Sequence, residues 1–201
     1  MAFADVWAVS PAAASAAYFR AAATHGAGAL TLLQSNFVAA GAINGCGYRV
    51  TLTSVGDLTG VTYTIVGTVV GSQSGTTTEA IAGGSTATVT TTNYWSSVTS
   101  ITASGTSGAS TMSVGFAANL ALPRTRIKGW SYVGAASAGS LVVTMNTTTG
   151  TNILTVDTPA STAAAGSMLI PGHGILVGRS NTSDFGIVVL TQITKATLYC
   201  G

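Results

Sequence analysis

The chain has 201 residues, 47% of them hydrophobic and 6% charged, with a formal net charge of +2. That composition excludes the low-hydrophobicity, high-charge class that stays disordered, and the length suffices for one sizeable core or two small ones. A balance of +2 is too small to argue for nucleic acid, and no run approaches the roughly 18 consecutive apolar residues of a transmembrane helix, so neither a nucleic-acid nor a membrane partner is expected.

The scarcity of charge is the most unusual feature, because a designed soluble surface carries about 25–35% charged residues. Little is left to oppose association. Much of the surface is therefore expected to be covered by neighbouring copies or built from small polar residues.

Along the chain, residues 1–25 are Ala-rich and differ from the rest. Ser10-Pro11 is a good N-cap and first-turn pair for a short helix running toward Arg20, which Gly26 would end. The segment reads either as an arm that docks on a neighbouring subunit or as a self-packed terminus. It lacks a basic n-region and carries Asp5, so no export signal is expected.

After Gly26 the texture becomes β-branched residues punctuated by Gly, Ser and Asn. Tyr48, Val50 and Leu52 alternate with Arg49 and Thr51, and Val61, Tyr63 and Ile65 alternate with Thr62 and Thr64, the period of half-buried strands. A turn at 71–75 follows, then strands over 76–82, 86–92, 94–103 and 112–116. Residues 117–123 read as a linker because Pro123 cannot donate to a ladder. Beyond it, strands are expected over 124–133, 141–146, 152–157, 175–177, 185–190 and 195–200. The expected fold is all-β: two antiparallel β-sandwich or jelly-roll-like modules, 26–120 and 121–201, preceded by the arm 1–25.

Candidate chemistry is sparse. Asp5, Asp57, Glu79, Asp157 and Asp184 are scattered, with no carboxylate pair close in sequence for acid–base work. His25 is expected near the end of the helix, where a cationic or hydrogen-bonding side chain is favourable, and His173 within a tight Pro171-Gly172-His173-Gly174 turn. Cys46 and Cys200 have neither metal-ligand nor CxxC spacing and read as two buried free thiols, with a disulfide as the alternative. Gly71–Gly75 has Gln73 where a nucleophile elbow needs serine. Asn146-Thr-Thr148 and Asn181-Thr-Ser183 are formal glycosylation sequons that arise by chance in a Thr-rich chain. No catalytic residue, metal site or cofactor is expected.

One constellation stands out. Arg124, Arg126, Lys128, Trp130 and Tyr132 alternate with Thr125, Ile127, Gly129, Ser131 and Val133, so an extended strand would place three cations and two aromatics on one face. Three of the seven basic residues lie here. The stripe reads either as a docking surface for an acidic partner or as a solvated face with local cation–π contacts.

Several segments resemble β-rich virion proteins of tailed bacteriophages, especially capsid decoration, or cement, proteins. In the first half these are Val61-Thr-Tyr-Thr-Ile-Val-Gly-Thr68, Glu79-Ala-Ile-Ala-Gly83 and the run from Tyr94 to Gly105. In the second they are Arg126-Ile-Lys-Gly-Trp-Ser-Tyr132, the run from Ile153 to Ser161, and Leu169-Ile-Pro-Gly-His-Gly-Ile-Leu176. The resemblance implies a structural role in the virion, assembled in the host cytoplasm. It also implies a homo-oligomer, with a trimer favoured, bound to the major capsid protein or other virion proteins. Tail, neck and fibre proteins share the texture and remain alternatives. A cell-surface adhesin module is a further one, for which Tyr94-Trp95 is the compact candidate platform.

Overall fold

A computed structural model of the chain describes residues 6–72, 75–161, 164–177 and 184–201. The expected turn at 71–75 and the sequon at Asn181 fall partly or wholly outside them, as does Asp5. The strands in chain order begin with β1 (Trp7–Val9), β2 (Ser15–Ala23), β3 (Gly28–Ala29), β4 (Tyr48–Ser54), β5 (Thr62–Val69) and β6 (Thr77–Ala82). They continue with β7 (Thr88–Ala103), β8 (Met112–Phe116), β9 (Leu120–Leu122), β10 (Thr125–Gly134) and β11 (Gly139–Met145). The last five are β12 (Asn152–Thr158), β13 (Ala165–Leu169), β14 (Ile175–Val177), β15 (Gly186–Thr191) and β16 (Ile193–Cys200). The protein is all-β, its sheets antiparallel and sandwich-like.

Two compact units divide the chain. One gathers the described part of 1–12 with 40–46 and 119–201; the other holds 13–39 and 47–118. The consecutive pieces expected from the sequence are thus interleaved at 1–25 and 40–46. The reason is non-local pairing: Trp7 lies opposite Cys200 in the β1–β16 ladder, across nearly the whole chain.

The unit built from 13–39 and 47–118 is a sheet in the order β2-β8-β4-β7-β5-β6, with β3 also on β7. β7 is long because it serves two neighbours in turn. Its residues 88–95 pair with β4 and 95–103 with β5, so the two wings overlap only around Trp95. The two strands expected over 86–92 and 94–103 are therefore one. The core packs Phe19, Phe37, Tyr48, Tyr63, Trp95 and Phe116, all essentially inaccessible. Rings meet edge-on at Phe19–Phe37, with centroids 4.9 Å apart, and tilted at Tyr48–Phe116, 4.6 Å apart.

The expected helix toward Arg20 is instead strand β2, opposite β8. Alanine favours helix only weakly, and an isolated short helix is marginal in water. In strand form the segment buries Phe19 completely and sets the Tyr18 ring 5.1 Å from Phe116. Tertiary packing outweighs local propensity here.

The other unit layers two sheets, β1-β16-β10-β13 with β14 also on β10, and β12-β11-β15-β9. Ile127, Leu198 and Cys200 of the first and Leu141, Val143 and Ile187 of the second are fully buried. The layers meet closely at Gly186, where an added Cβ would come within 2.5 Å of Val177 Cγ1 in the facing sheet. The expected linker 117–123 contains β9, whose three residues are completely buried beside β15. The division between the two units falls within this stretch, at 118/119, and Pro123 follows the edge strand β9.

Candidate docking surface

β10 carries most of the stripe singled out in the sequence, but not on one face. Ile127 lies opposite Cys200, whereas Gly129 lies opposite Tyr199, leaving Lys128 as an extra residue in a β-bulge. A bulge inserts one residue and so reverses the alternation beyond it. Trp130 consequently faces Leu198 and, like Ile127, is buried, although the two positions differ in parity. The cations and aromatics are therefore separated. Trp130 and Tyr132 share the inward side, and Arg126 lies on the opposite one.

The cations have local work. The turn joining β13 to β14 sits beside the bulge, with Gly172 and Gly174 at φ of +73° and +70°, a region favouring glycine. Arg126 Nη1 donates to the His173 carbonyl at 3.3 Å, and Lys128 Nζ donates to the same oxygen at 3.1 Å and to Gly172 O at 3.4 Å. His173 thus lies in the expected turn and offers its carbonyl there. Arg124 is exposed, just before β10. No carboxylate lies against any of these three cations among the described residues.

Beside this positive end runs an apolar border. β13 ends its sheet, and Met168 and Leu169 are 54% and 74% exposed, with Leu176 of β14 41% exposed. No sequence signal marked β13 as a strand: Ala165-Gly166-Ser167 has poor β propensity, and its pairing with β10 is tertiary. On the outward face of the same sheet, Ser131, Val133, Ser167, Lys195, Thr197 and Tyr199 line an open basin of about 520 Å³. It has hydroxyls and one ammonium but no carboxylate, histidine or cysteine.

The other candidate residues are held in structural roles. His25 Nδ1 faces the Gly26 carbonyl at 2.9 Å, so in the neutral ring Nδ1 carries the proton and Nε2 accepts from the Tyr63 hydroxyl at 2.8 Å. Burial raises the Tyr63 pKa, opposed in part by the Arg20 charge. Ser107 Oγ accepts the His25 backbone N–H at 2.8 Å and is directed at the main chain rather than the imidazole. No nucleophile–base pair results. Arg20 braces the same corner by donating to the carbonyls of Met112, Ala23 and Thr24.

Cys46 and Cys200 are free and buried in one unit, and burial raises both thiol pKa values, Cys200 to about 12. Asn146, at φ +61°, donates to Asp184 and accepts from the Phe185 N–H, which fixes a turn. Tyr94 and Trp95 are buried at 7% and 0% exposure and so form no open platform. Among the described residues no cluster of three His, Cys, Asp or Glu side chains is placed to hold a metal ion, and no helix is long and apolar enough to cross a membrane.

Searches of protein-family models, curated proteins and solved structures find no match to this chain.

Proposed function

We propose that this chain is a non-enzymatic structural subunit that works by packing against other protein copies, and that its assembly is a tailed-bacteriophage particle. The observation carrying the first part is the pairing of open sheet edges with a very small charge inventory. β13, for example, ends its sheet without a charged residue, whereas proteins that remain alone usually guard such edges with charge. The second part is supported by the likeness of the strand-and-turn segments to phage virion proteins. Within the particle the favoured role is capsid decoration: a homotrimer bound to the major capsid protein and stabilising its lattice. A tail, neck or fibre position is the second reading, supported by the same texture. The burial of Tyr94 and Trp95 removes the main motive for the adhesin alternative.

The deciding experiment is an electron-microscopy map of purified particles. A copy number near that of the major capsid protein is expected for decoration. A few copies at the tail would favour the second reading, and absence from particles would overturn the phage assignment.

A further inference from the structure

We infer that the free edge of β13 is a docking site for an extended, acidic-ended strand of a different protein, paired antiparallel and anchored by Arg124, Arg126 and Lys128. The inference deepens the assembly reading and rests on it for biological setting, but the chemistry of the edge stands by itself. Hydrogen bonds from Gly134 N to Ala164 O and from Ile170 N to Lys128 O fix which residues of this strand face β10. In an antiparallel ladder the bonded residues alternate. Residues 164, 166, 168 and 170 therefore turn their backbone groups toward β10, and Ala165, Ser167 and Leu169 turn theirs away.

No further strand among the described residues pairs with that side. Three N–H and three C=O groups thus form a short template of the kind used in strand addition. The usual deterrents are missing from 165–169: the segment has neither charge nor proline. Leu169 adds an apolar side chain, reaching over Gly129, where an added Cβ would meet Leu169 Cδ2 at 3.0 Å.

Charge decides the occupant. The template ends at the turn over which Lys128 and Arg126 are fixed by the His173 carbonyl, with Arg124 nearby in sequence. The cations are held in place, but carbonyl oxygens leave their positive charge unneutralised. Another copy of this chain is a poor source of complement, since it has five carboxylates in 201 residues, no two adjacent. An incoming strand with acidic residues at its N-terminal end would lay its backbone along β13 and its carboxylates at the turn. Antiparallel pairing is the more stable per residue and matches every ladder of this sheet.

The test uses the full chain and the acetylated peptide Asp-Asp-Thr-Val-Thr-Val-Thr as probe, with binding followed by calorimetry and amide hydrogen exchange. The amides of Ala165, Ser167 and Leu169 should gain protection, those of Gly166 and Met168 being protected already. A Lys-Lys-ended peptide should bind about tenfold more weakly or not at all, and a peptide N-methylated at alternate amides should not bind. Ser167→Pro removes one outward N–H without breaking a ladder bond, so it should stay folded and lose the peptide. Equal binding by either control peptide, undiminished binding by S167P, or no binding by the acidic probe would overturn the inference. So would concentration-dependent self-association that protects these same amides, which would make a second copy the occupant. Absence of the chain from phage particles would overturn only the virion reading, because the peptide results do not depend on it.

Discussion

The carboxylate of Glu79 closes on Asn93: Oε2 accepts the Asn93 backbone N–H at 3.1 Å and its side-chain amide at 2.9 Å, while Oε1 accepts the Thr92 N–H at 2.5 Å. These donors need a partner because β7 bulges there. Arg49 lies opposite Tyr94 and Thr51 opposite Thr90, so Thr91, Thr92 and Asn93 together face Val50 alone. Thr91 Oγ1 accepts the Val50 N–H at 2.9 Å and donates to Asn93 O at 3.0 Å, and Arg49 Nε donates to the Thr91 carbonyl. A lone acid on β6 thus supports the bend that lets one strand serve two wings of the sheet.

Glu79→Ala should therefore destabilise that unit by about 1.5–3 kcal/mol, the usual worth of hydrogen bonds to a charged group. Glu79→Gln, which keeps an acceptor, should cost less. Urea denaturation measures both, and amide exchange at Thr92 and Asn93 should accelerate first. Equal stability of E79A and wild type would show that the bulge is held without the carboxylate.

The Tyr18 hydroxyl is buried without a hydrogen-bond partner. Removing an unsatisfied buried polar group relieves a penalty of about 1–3 kcal/mol. Tyr18→Phe should leave the fold unchanged and raise the denaturation midpoint. A fall in stability would mean that the oxygen has a partner in solution.

The two thiols make stability sensitive to alkali. Burial holds Cys200 near 12 against an ordinary value of 9.0, and Cys46 is raised as well. Above pH 9 the unfolded thiols release protons while the folded ones retain them, so the folded state binds more protons and stability falls as pH rises. Stability should be independent of these groups below pH 8 and decline between about pH 9 and 12. The Cys46→Ala, Cys200→Ala double variant should lose that part of the slope. Folded wild-type protein should also resist iodoacetamide at pH 8, because the thiolate is the nucleophile.

Removing residues 1–25 tests the corrected view of the N-terminus. A docking arm would come away with only a loss of oligomer stability, whereas the structure makes 15–23 an integral strand against β8 and Trp7–Val9 one against β16. The truncated chain should unfold or aggregate at concentrations where the full chain is folded, as circular dichroism and sedimentation would show. Gly115→Ala gives the point-mutation counterpart, since its Cβ would strike the Ser15 carbonyl oxygen of β2. It should cost about 1–3 kcal/mol. A Gly115→Ala protein as stable as wild type would place the segment elsewhere.

The period-two alternation of Tyr48–Leu52 and Val61–Ile65, the Gly- and Ser-rich junctions and the turn at Pro171–Gly174 were legible in the sequence because each is a local constraint on backbone and side-chain direction. So was the scarcity of charge from which assembly is argued. The fate of the Arg124–Tyr132 stripe was not legible. It depends on one extra residue at Lys128, which exists only relative to the register of β16. Nor were β2, β9 and β13 legible as strands, since Ala-rich, three-residue and Gly-Ser segments gain their strand form from the neighbours that pair with them. The sequence by itself thus determined an all-β chain poor in charge. The tertiary structure decided which distant segments share a unit, which side of a bulged strand each side chain takes, and which backbone edge stays open. Strand pairing is set by long-range registry and by the apolar surface it buries, and neither is written in any one stretch of chain.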